Sequence, residues 1–462
     1  MANSKSLFNE IVLYSVGNFG SKILTFLLLP LYTFFLTKED MGEYDLFFTT
    51  VTLFVPLVSL QISDAVYRWL ISEKAENLNY RRKVISNSIL IFISSFSIFF
   101  FVFSMFFSTI KYAEFFIALV FLSAFLPFLQ NILRGLQKTK AYAINGILTT
   151  FLILLFNCVF LFYLELKVIG ILAANIIAYT IVILHIVVSY KIYRFFYLKN
   201  TDLALIWKLL KYSLPLIPNL ISWWVINSAS KFIILDELGI EENGIYAVSV
   251  RFPSILIVIN SVLILPIQDF YLKETDGFNF LKKTIKKFIY FELSIVLILS
   301  AGAPLYSKIL IDNNFYESWV YMPLLFLGVG FNSIATLVSL VFQKELNTLK
   351  ITITSAIGGF VSIGLSLMLI NSFELQGVSF SFFVGYLILF IFRIMLSYKK
   401  YNFEIDYFKL LSYLLLFFVI FYLQSSISFL LKIVLFMVVL VTSLYLNREF
   451  FSYFLEKIKL KK

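Results

Sequence analysis

The chain has little of what soluble enzymes are built from. Only 14% of its 462 residues are charged, against about 25% in soluble domains. Cys158 is the only cysteine, which excludes an intrachain disulfide, and His185 is the only histidine, which excludes a histidine-based zinc cluster. There is no G-x-x-x-x-G-K-[ST] phosphate loop, so the chain is not expected to hydrolyse ATP itself. No connection is long enough for a separate catalytic domain. Proline is scarce at 9 copies, and every one falls within or at the end of an apolar stretch rather than in a surface turn. What is present is hydrophobicity: 60% apolar residues, 55 phenylalanines and a mean hydropathy of +0.91. Such a chain belongs in a bilayer.

A bilayer crossing takes about 20 apolar residues. Fourteen stretches qualify, near 11–36, 44–71, 84–108, 116–135, 143–164, 168–190, 212–234, 244–268, 288–307, 319–342, 351–371, 377–397, 409–427 and 429–446. The expected fold is therefore all-α and polytopic, with about 14 transmembrane helices. The first stretch is too long for a signal-peptide core and lacks a small-residue cleavage site, so it reads as retained. Lysine and arginine test the count, because cytoplasmic loops carry an excess of them. With the N-terminus inside, the outer segments hold only Lys38, Lys111, Lys167 and Lys308. Lys22, Arg68, Lys231, Arg251, Arg393 and Lys432 lie inside spans, and all the rest of the 38 fall on the inner side. One miscounted span in the middle would destroy that alternation. Both termini are expected in the cytoplasm, with the basic tail from Arg448 to Lys462 anchoring the topology. The longest inner breaks are 191–211 and 269–287. The first contains Trp207 among several basic residues, which suits either an amphipathic segment at the headgroups or a solvated linker.

That break invites a search for repetition. Glu39-Asp40-Met41-Gly42-Glu43-Tyr44, between spans 1 and 2, resembles Glu241-Glu242-Asn243-Gly244-Ile245-Tyr246, between spans 7 and 8. Six intervening helices put both copies on one side of the membrane, as a parallel repeat would. Spans 7 and 8 also concentrate proline, with Pro215, Pro218, Pro253 and Pro266. Interior prolines kink helices, which suits a transporter, although proline is also simply commoner in membrane helices.

A basic side chain at mid-membrane costs at least about 2.5–3.5 kcal/mol and asks for a partner or an aqueous cavity. Lys22 lies near the middle of span 1, and Arg251 lies about two turns into span 8 from its outer end. Arg68 follows Asp64 by four residues, so a local ion pair competes with a cavity role. Lys231 suits an anchor or a cavity, whereas Arg393 and Lys432 lie close to span ends and read as snorkelling anchors. Asp45, Asp64 and Glu292 fall near span ends, leaving no acid at mid-depth. Basic but not acidic residues inside the membrane favour an anionic cargo. At an effective dielectric of about 20, a cation and a phosphate oxygen 4 Å apart attract by roughly 4 kcal/mol. Trp223, Trp224 and Asn227 share span 7, where indole faces and an amide would suit a glycan, while helix packing explains each one singly.

Several strings resemble those of the polysaccharide repeat-unit flippases of bacterial envelopes, the O-antigen and capsule type. Their superfamily also includes multidrug-extrusion antiporters and the lipid II flippase. The strings are Asn18-Phe19-Gly20-Ser21-Lys22 leading to Leu29-Pro30-Leu31-Tyr32; Ser213-Leu214-Pro215-Leu216-Ile217-Pro218-Asn219 with Trp223-Trp224; Gly244-Ile245-Tyr246-Ala247 to Pro253-Ser254-Ile255; and Phe315-Tyr316-Glu317-Ser318-Trp319 before Met322-Pro323. The resemblance implies a six-helix lobe over 1–190, a cytoplasmic linker over 191–211, a second six-helix lobe over 212–397, and two peripheral helices with a basic tail over 398–462. It implies alternating access in a bacterial cytoplasmic membrane, with undecaprenyl-pyrophosphate-linked oligosaccharide as cargo and no covalent chemistry. Lys22 and Arg251 match the basic residues that such flippases use for the pyrophosphate, with Arg68 and Lys231 secondary. Ser230-Lys231 stands where the family often has an Asp-Arg pair, keeping the cation and losing the acid. Membrane lipid and polysaccharide assembly proteins are the expected partners, with no nucleic acid. No cofactor is expected, and a coupling ion, H+ or Na+, is not legible. A drug or cation antiporter of the same superfamily remains an alternative that would want acids at cavity depth. A membrane glycan polymerase or ligase would want a long outer loop.

Overall fold

An apolar backbone in lipid must satisfy its own N–H and C=O groups, and helices do so within one segment. The computed structural model describes residues 24, 26–72, 77–106, 111–197, 201–273, 277–345, 347–398, 401 and 403–447. These form helices and short connections, with no strand among the described residues. In chain order the helices are α1 (Phe26–Phe35), α2 (Lys38–Ser59), α3 (Ile62–Leu70), α4 (Leu78–Phe106), α5 (Ala113–Gly135), α6 (Thr139–Cys158), α7 (Lys167–Ser189), α8 (Leu203–Ser213) and α9 (Ile217–Glu237). They continue with α10 (Ile240–Arg251), α11 (Pro253–Lys273), α12 (Gly277–Leu310), α13 (Met322–Val338), α14 (Leu340–Lys344), α15 (Thr348–Tyr398), α16 (Tyr407–Ser426) and α17 (Phe429–Leu446).

Eleven helices among the described residues are long and apolar enough to cross a membrane. Expected spans 11 and 12 are both contained in α15, which turns at Glu374 (φ 47°, ψ −135°). With α9 at expected span 7 and α1 at the end of expected span 1, the rest of which lies outside the described residues, the helices are roughly consistent with about fourteen crossings. The protein is a multi-pass membrane protein. Span 2 differs from expectation: it is broken between α2 and α3 at Leu60 and Gln61, both left-handed (φ 47° and 50°). Neither is glycine, so nothing in the local sequence announces the break.

The chain divides into two compact units. The first comprises Met1–Leu36 and Glu43–Trp224, and the second Thr37–Gly42 and Val225–Lys462. In the first unit α3 packs on α5 through Ile62, Ala65, Val66, Leu129, Ile132 and Leu133, all buried. Phe92 and Phe128 stack with ring centroids 5.4 Å apart. The break after α7 contains a genuine helix, α8. Asp202 caps it by accepting from Ala204 N (2.9 Å) and Leu205 N (3.2 Å), and pairs with Lys83 Nζ at 2.7 Å. Leu205 and Leu209 face inward, while Leu203 and Trp207 are 79% and 68% exposed beside Lys208. That amphipathic pattern fits a helix lying at headgroup level.

In the second unit α13 is almost wholly buried, packed against α11, α12 and α15. The last two helices, α16 and α17, sit at the edge against α12. Gln424 Nε2 donates to Ser300 O and Ala301 O, and Asn447 Nδ2 donates to Ser294 Oγ, which ties them on by polar contacts.

The two copies of the acidic-glycine string meet. Residues 37–42 belong to the second unit because the start of α2 lies against the start of α10. A methyl group on Gly42 would come 2.1 Å from Ile240 O, and one on Gly244 would come 2.0 Å from Lys38 O. Gly42 and Gly244 are equivalent in the repeat, and so are Lys38 and Ile240. The contact is therefore reciprocal: each glycine removes the side chain that would block its counterpart's backbone.

Candidate functional site

Span 8 loses one rung of its hydrogen-bond ladder beside its cation. Pro253 has no N–H to donate to Ser249 O, so the hydrogen-bond ladder slips between the end of α10 at Arg251 and the start of α11 at Pro253, while Phe252 between them keeps helical dihedrals (φ −67°, ψ −46°). Ser254 Oγ covers the freed end by donating to Arg251 O at 2.5 Å. The half-buried Arg251 side chain stands at this slip.

Lys231 lies on α9, buried in the second unit at 8% exposure. One turn before it, the exposed Asn227 accepts from Tyr386 OH at 2.8 Å, which fixes its amide. Asn227, Lys231 and Arg251 thus belong to one unit, whereas Arg68, Trp223 and Trp224 belong to the other. Trp224 Nε1 donates to Thr49 O at 2.9 Å, so its N–H is already used and the ring face is what it can offer a sugar. Trp223 is half-buried. Arg68 is exposed on α3. The Asp64–Arg68 ion pair that the spacing allows is not formed: Asp64 Oδ2 instead accepts from Gln61 Nε2 at 2.9 Å, because Gln61 is swung beside it by the α2–α3 break. Lys22 lies outside the described residues.

Two further expectations need correction. Arg393 is no snorkelling anchor: it is 1% exposed. Its Nη1 donates to Ala335 O (2.9 Å), its Nη2 to Ser355 Oγ (3.1 Å) and its Nε to Thr354 Oγ1 (3.3 Å). The guanidinium folds inward and joins α13 to α15 through neutral acceptors alone. Nor does Glu292 lie near the end of its helix. The helix carrying Glu292 starts well before the expected span, so Glu292 falls in the middle of α12, 0% exposed. Asn260 Nδ2 donates both to Glu292 Oε1 (2.7 Å) and to Ser333 Oγ (2.6 Å). Glu292 Oε2 and Asn260 Oδ1 are buried without a hydrogen-bond donor. Asn260, Ser333 and Glu292 come from three helices, which is why sequence spacing could not link them. Among the described residues no group of three or more His, Cys, Asp or Glu could hold a metal ion.

A family model described as "Polysaccharide biosynthesis protein" matches residues 7–269. No curated protein matches the chain in sequence. Among solved structures it resembles an inward-facing multidrug resistance MATE family transporter of the MOP superfamily, with a TM-score of 0.67 at 15% identity, over 84% of this chain and 94% of that one. It also resembles the lipid II flippase MurJ in an inward closed conformation, with a TM-score of 0.67 at 16% identity, over 95% of this chain and 100% of that one. An outward-facing MATE transporter gives a TM-score of 0.62 at 16% identity, over 85% and 95% of the respective chains. At these identities the likeness is one of fold.

Proposed function

The chain belongs to the polysaccharide biosynthesis protein family, and from that membership we propose that it flips undecaprenyl-pyrophosphate-linked oligosaccharide across a bacterial cytoplasmic membrane. Lobes over 1–190 and 212–397, joined by 191–211, open alternately to the two sides, and 398–462 adds two outer helices and a tail. Both termini are cytoplasmic. The isoprenoid tail stays in lipid while the pyrophosphate and sugars cross through a cationic cavity. Lys22 and Arg251 hold the pyrophosphate, Arg68 and Lys231 extend the positive field, and Trp223, Trp224 and Asn227 contact sugar. No covalent bond is made or broken. Polysaccharide assembly proteins would supply and receive the cargo.

The observation that carries the proposal is the place of Arg251, half-buried on a membrane helix at the ladder slip before Pro253. A guanidinium there offers a planar fork to phosphate oxygens. The test uses cells that depend on this protein for surface polysaccharide. Arg251→Ala and Lys22→Ala should each abolish glycan display at unchanged protein level, with Arg251→Lys retaining part of it. Normal display in Arg251→Ala would overturn the role assigned to that residue.

Glu292 favours a second reading, a cation-coupled drug antiporter, which also suits the MATE-like fold. The two separate on Glu292→Gln: an antiporter loses cation-driven export, whereas glycan display that tolerates the change speaks for a flippase not coupled through this group.

A further inference from the structure

We propose that a half-open cavity in the first unit, walled by α5, α6 and α7, is a subsite for one uncharged sugar ring of the transported glycan. The inference rests on the flippase reading above and says where part of the sugar end is recognised. The cavity has a volume of about 260 Å³, and its lining includes Ser123, Pro127 and Gln130 from α5, Tyr142 and Gly146 from α6, and Tyr179 from α7. The α5 residues stand at i, i+4 and i+7, one stripe of a helix, and Thr149 and Thr150 continue the α6 stripe that begins at Tyr142. None of the lining residues is charged at neutral pH.

The chemistry of the wall selects the ligand. Pro127 has no N–H, so the Ser123 carbonyl lacks its helical donor just where both residues face the cavity. Gln130 is half-buried and its amide makes no hydrogen bond with the described residues, so it offers both donors and acceptors. Thr149 Oγ1 donates to Asn145 O (2.7 Å) and Thr150 Oγ1 to Gly146 O (3.1 Å), which turns both hydroxyl oxygens into acceptors for anything in the cavity. Tyr142 and Tyr179 add aromatic surface of the kind that packs on the apolar face of a sugar ring. An acceptor-rich, uncharged wall with one free amide fits a neutral ring of hydroxyls. An ion would find no counter-charge in this wall, and a hydrocarbon covering it would leave the Gln130 amide and the Ser123 carbonyl unpaired.

Gly146 supplies the test, because nothing lies within 4 Å of where its side chain would begin. A phenylalanine there fills the cavity without displacing backbone. The purified full-length chain in lipid nanodiscs is titrated with undecaprenyl pyrophosphate and with the same lipid carrying one N-acetylhexosamine. The wild type should bind the sugar-bearing lipid about tenfold more tightly, the worth of one or two neutral hydrogen bonds. Gly146→Phe and Gln130→Leu should each remove that increment while leaving the affinity for the bare lipid unchanged, and Gly146→Ala should keep it. Thermal unfolding checks that each variant is folded, and Gln130→Leu breaks no bond among the described residues. An increment that persists in both cavity variants, or is missing in a wild type that still binds the bare lipid, overturns the subsite alone. Binding of neither lipid overturns the flippase reading and the subsite with it.

Discussion

Replacing Gly42 or Gly244 with alanine should loosen the reciprocal helix crossing by a calculable amount. The added methyl would lie 2.1 Å from Ile240 O or 2.0 Å from Lys38 O. A carbon–oxygen approach is ordinarily no closer than about 3.3 Å, so the helices must separate by more than about 1 Å. Overpacking of this kind costs about 1–3 kcal/mol, and the upper end applies because a backbone carbonyl cannot rotate away. The better helix preference of alanine returns at most about 1 kcal/mol. The net loss is then about 2 kcal/mol, up to thirtyfold in the ratio of folded to unfolded protein. Titration with sodium dodecyl sulfate in mixed micelles, followed by circular dichroism, measures it. Gly364→Ala serves as the control, since nothing lies within 4 Å of that position. Because both glycines guard one crossing, the second alanine meets helices already apart, and the double variant should fall short of additivity by at least about 0.5 kcal/mol. Single variants as stable as Gly364→Ala, or a fully additive double, would refute a shared crossing.

Arg393→Lys should destabilise the protein by about 1–3 kcal/mol, because an ammonium keeps the buried charge but cannot reproduce the three-way fork to Ala335, Ser355 and Thr354. A melting temperature equal to that of the wild type would contradict this. Asp202 is held below the usual carboxylate range by Lys83 first and by the Leu205 N–H next. A depressed folded-state pKa stabilises above the unfolded value and is lost as pH falls through the folded one. Hydrogen exchange should therefore show the amides of α8 still protected at the ordinary aspartate pKa of 3.8 and opening only below it. Opening at or above that pH would argue against the Lys83 pairing. Asp202→Ala, which removes cap and pair together, should open α8 at neutral pH.

The number of crossings was legible because bilayer thickness fixes how long each apolar run must be, and the one-sided placement of lysine and arginine checks the count independently. Contacts across helices were less so. The likeness of the strings around Gly42 and Gly244 is visible in sequence, but that the two copies pack on each other is not, since a repeat gives equivalence and not proximity. Arg393 misled because nearness to a span end suggests a headgroup anchor, whereas its guanidinium finds three oxygens inside the unit. Asp64 and Arg68 have pairing spacing, but a left-handed turn brings Gln61 to the carboxylate first. Glu292 looked peripheral because lysines precede it, although the helix continues through them. The slip beside Arg251 was not legible from Pro253 alone, because Pro56, Pro127 and Pro304 each lie inside a helix that continues through them.

Transbilayer movement of a fluorescent undecaprenyl-pyrophosphate-linked sugar in liposomes containing the purified protein tests the cationic route most directly. Wild-type protein should expose the label to an impermeant quencher well above the rate in empty liposomes, and Arg251→Ala should return it to that background at equal protein incorporation. Equal rates for wild type and Arg251→Ala would contradict a route through Arg251.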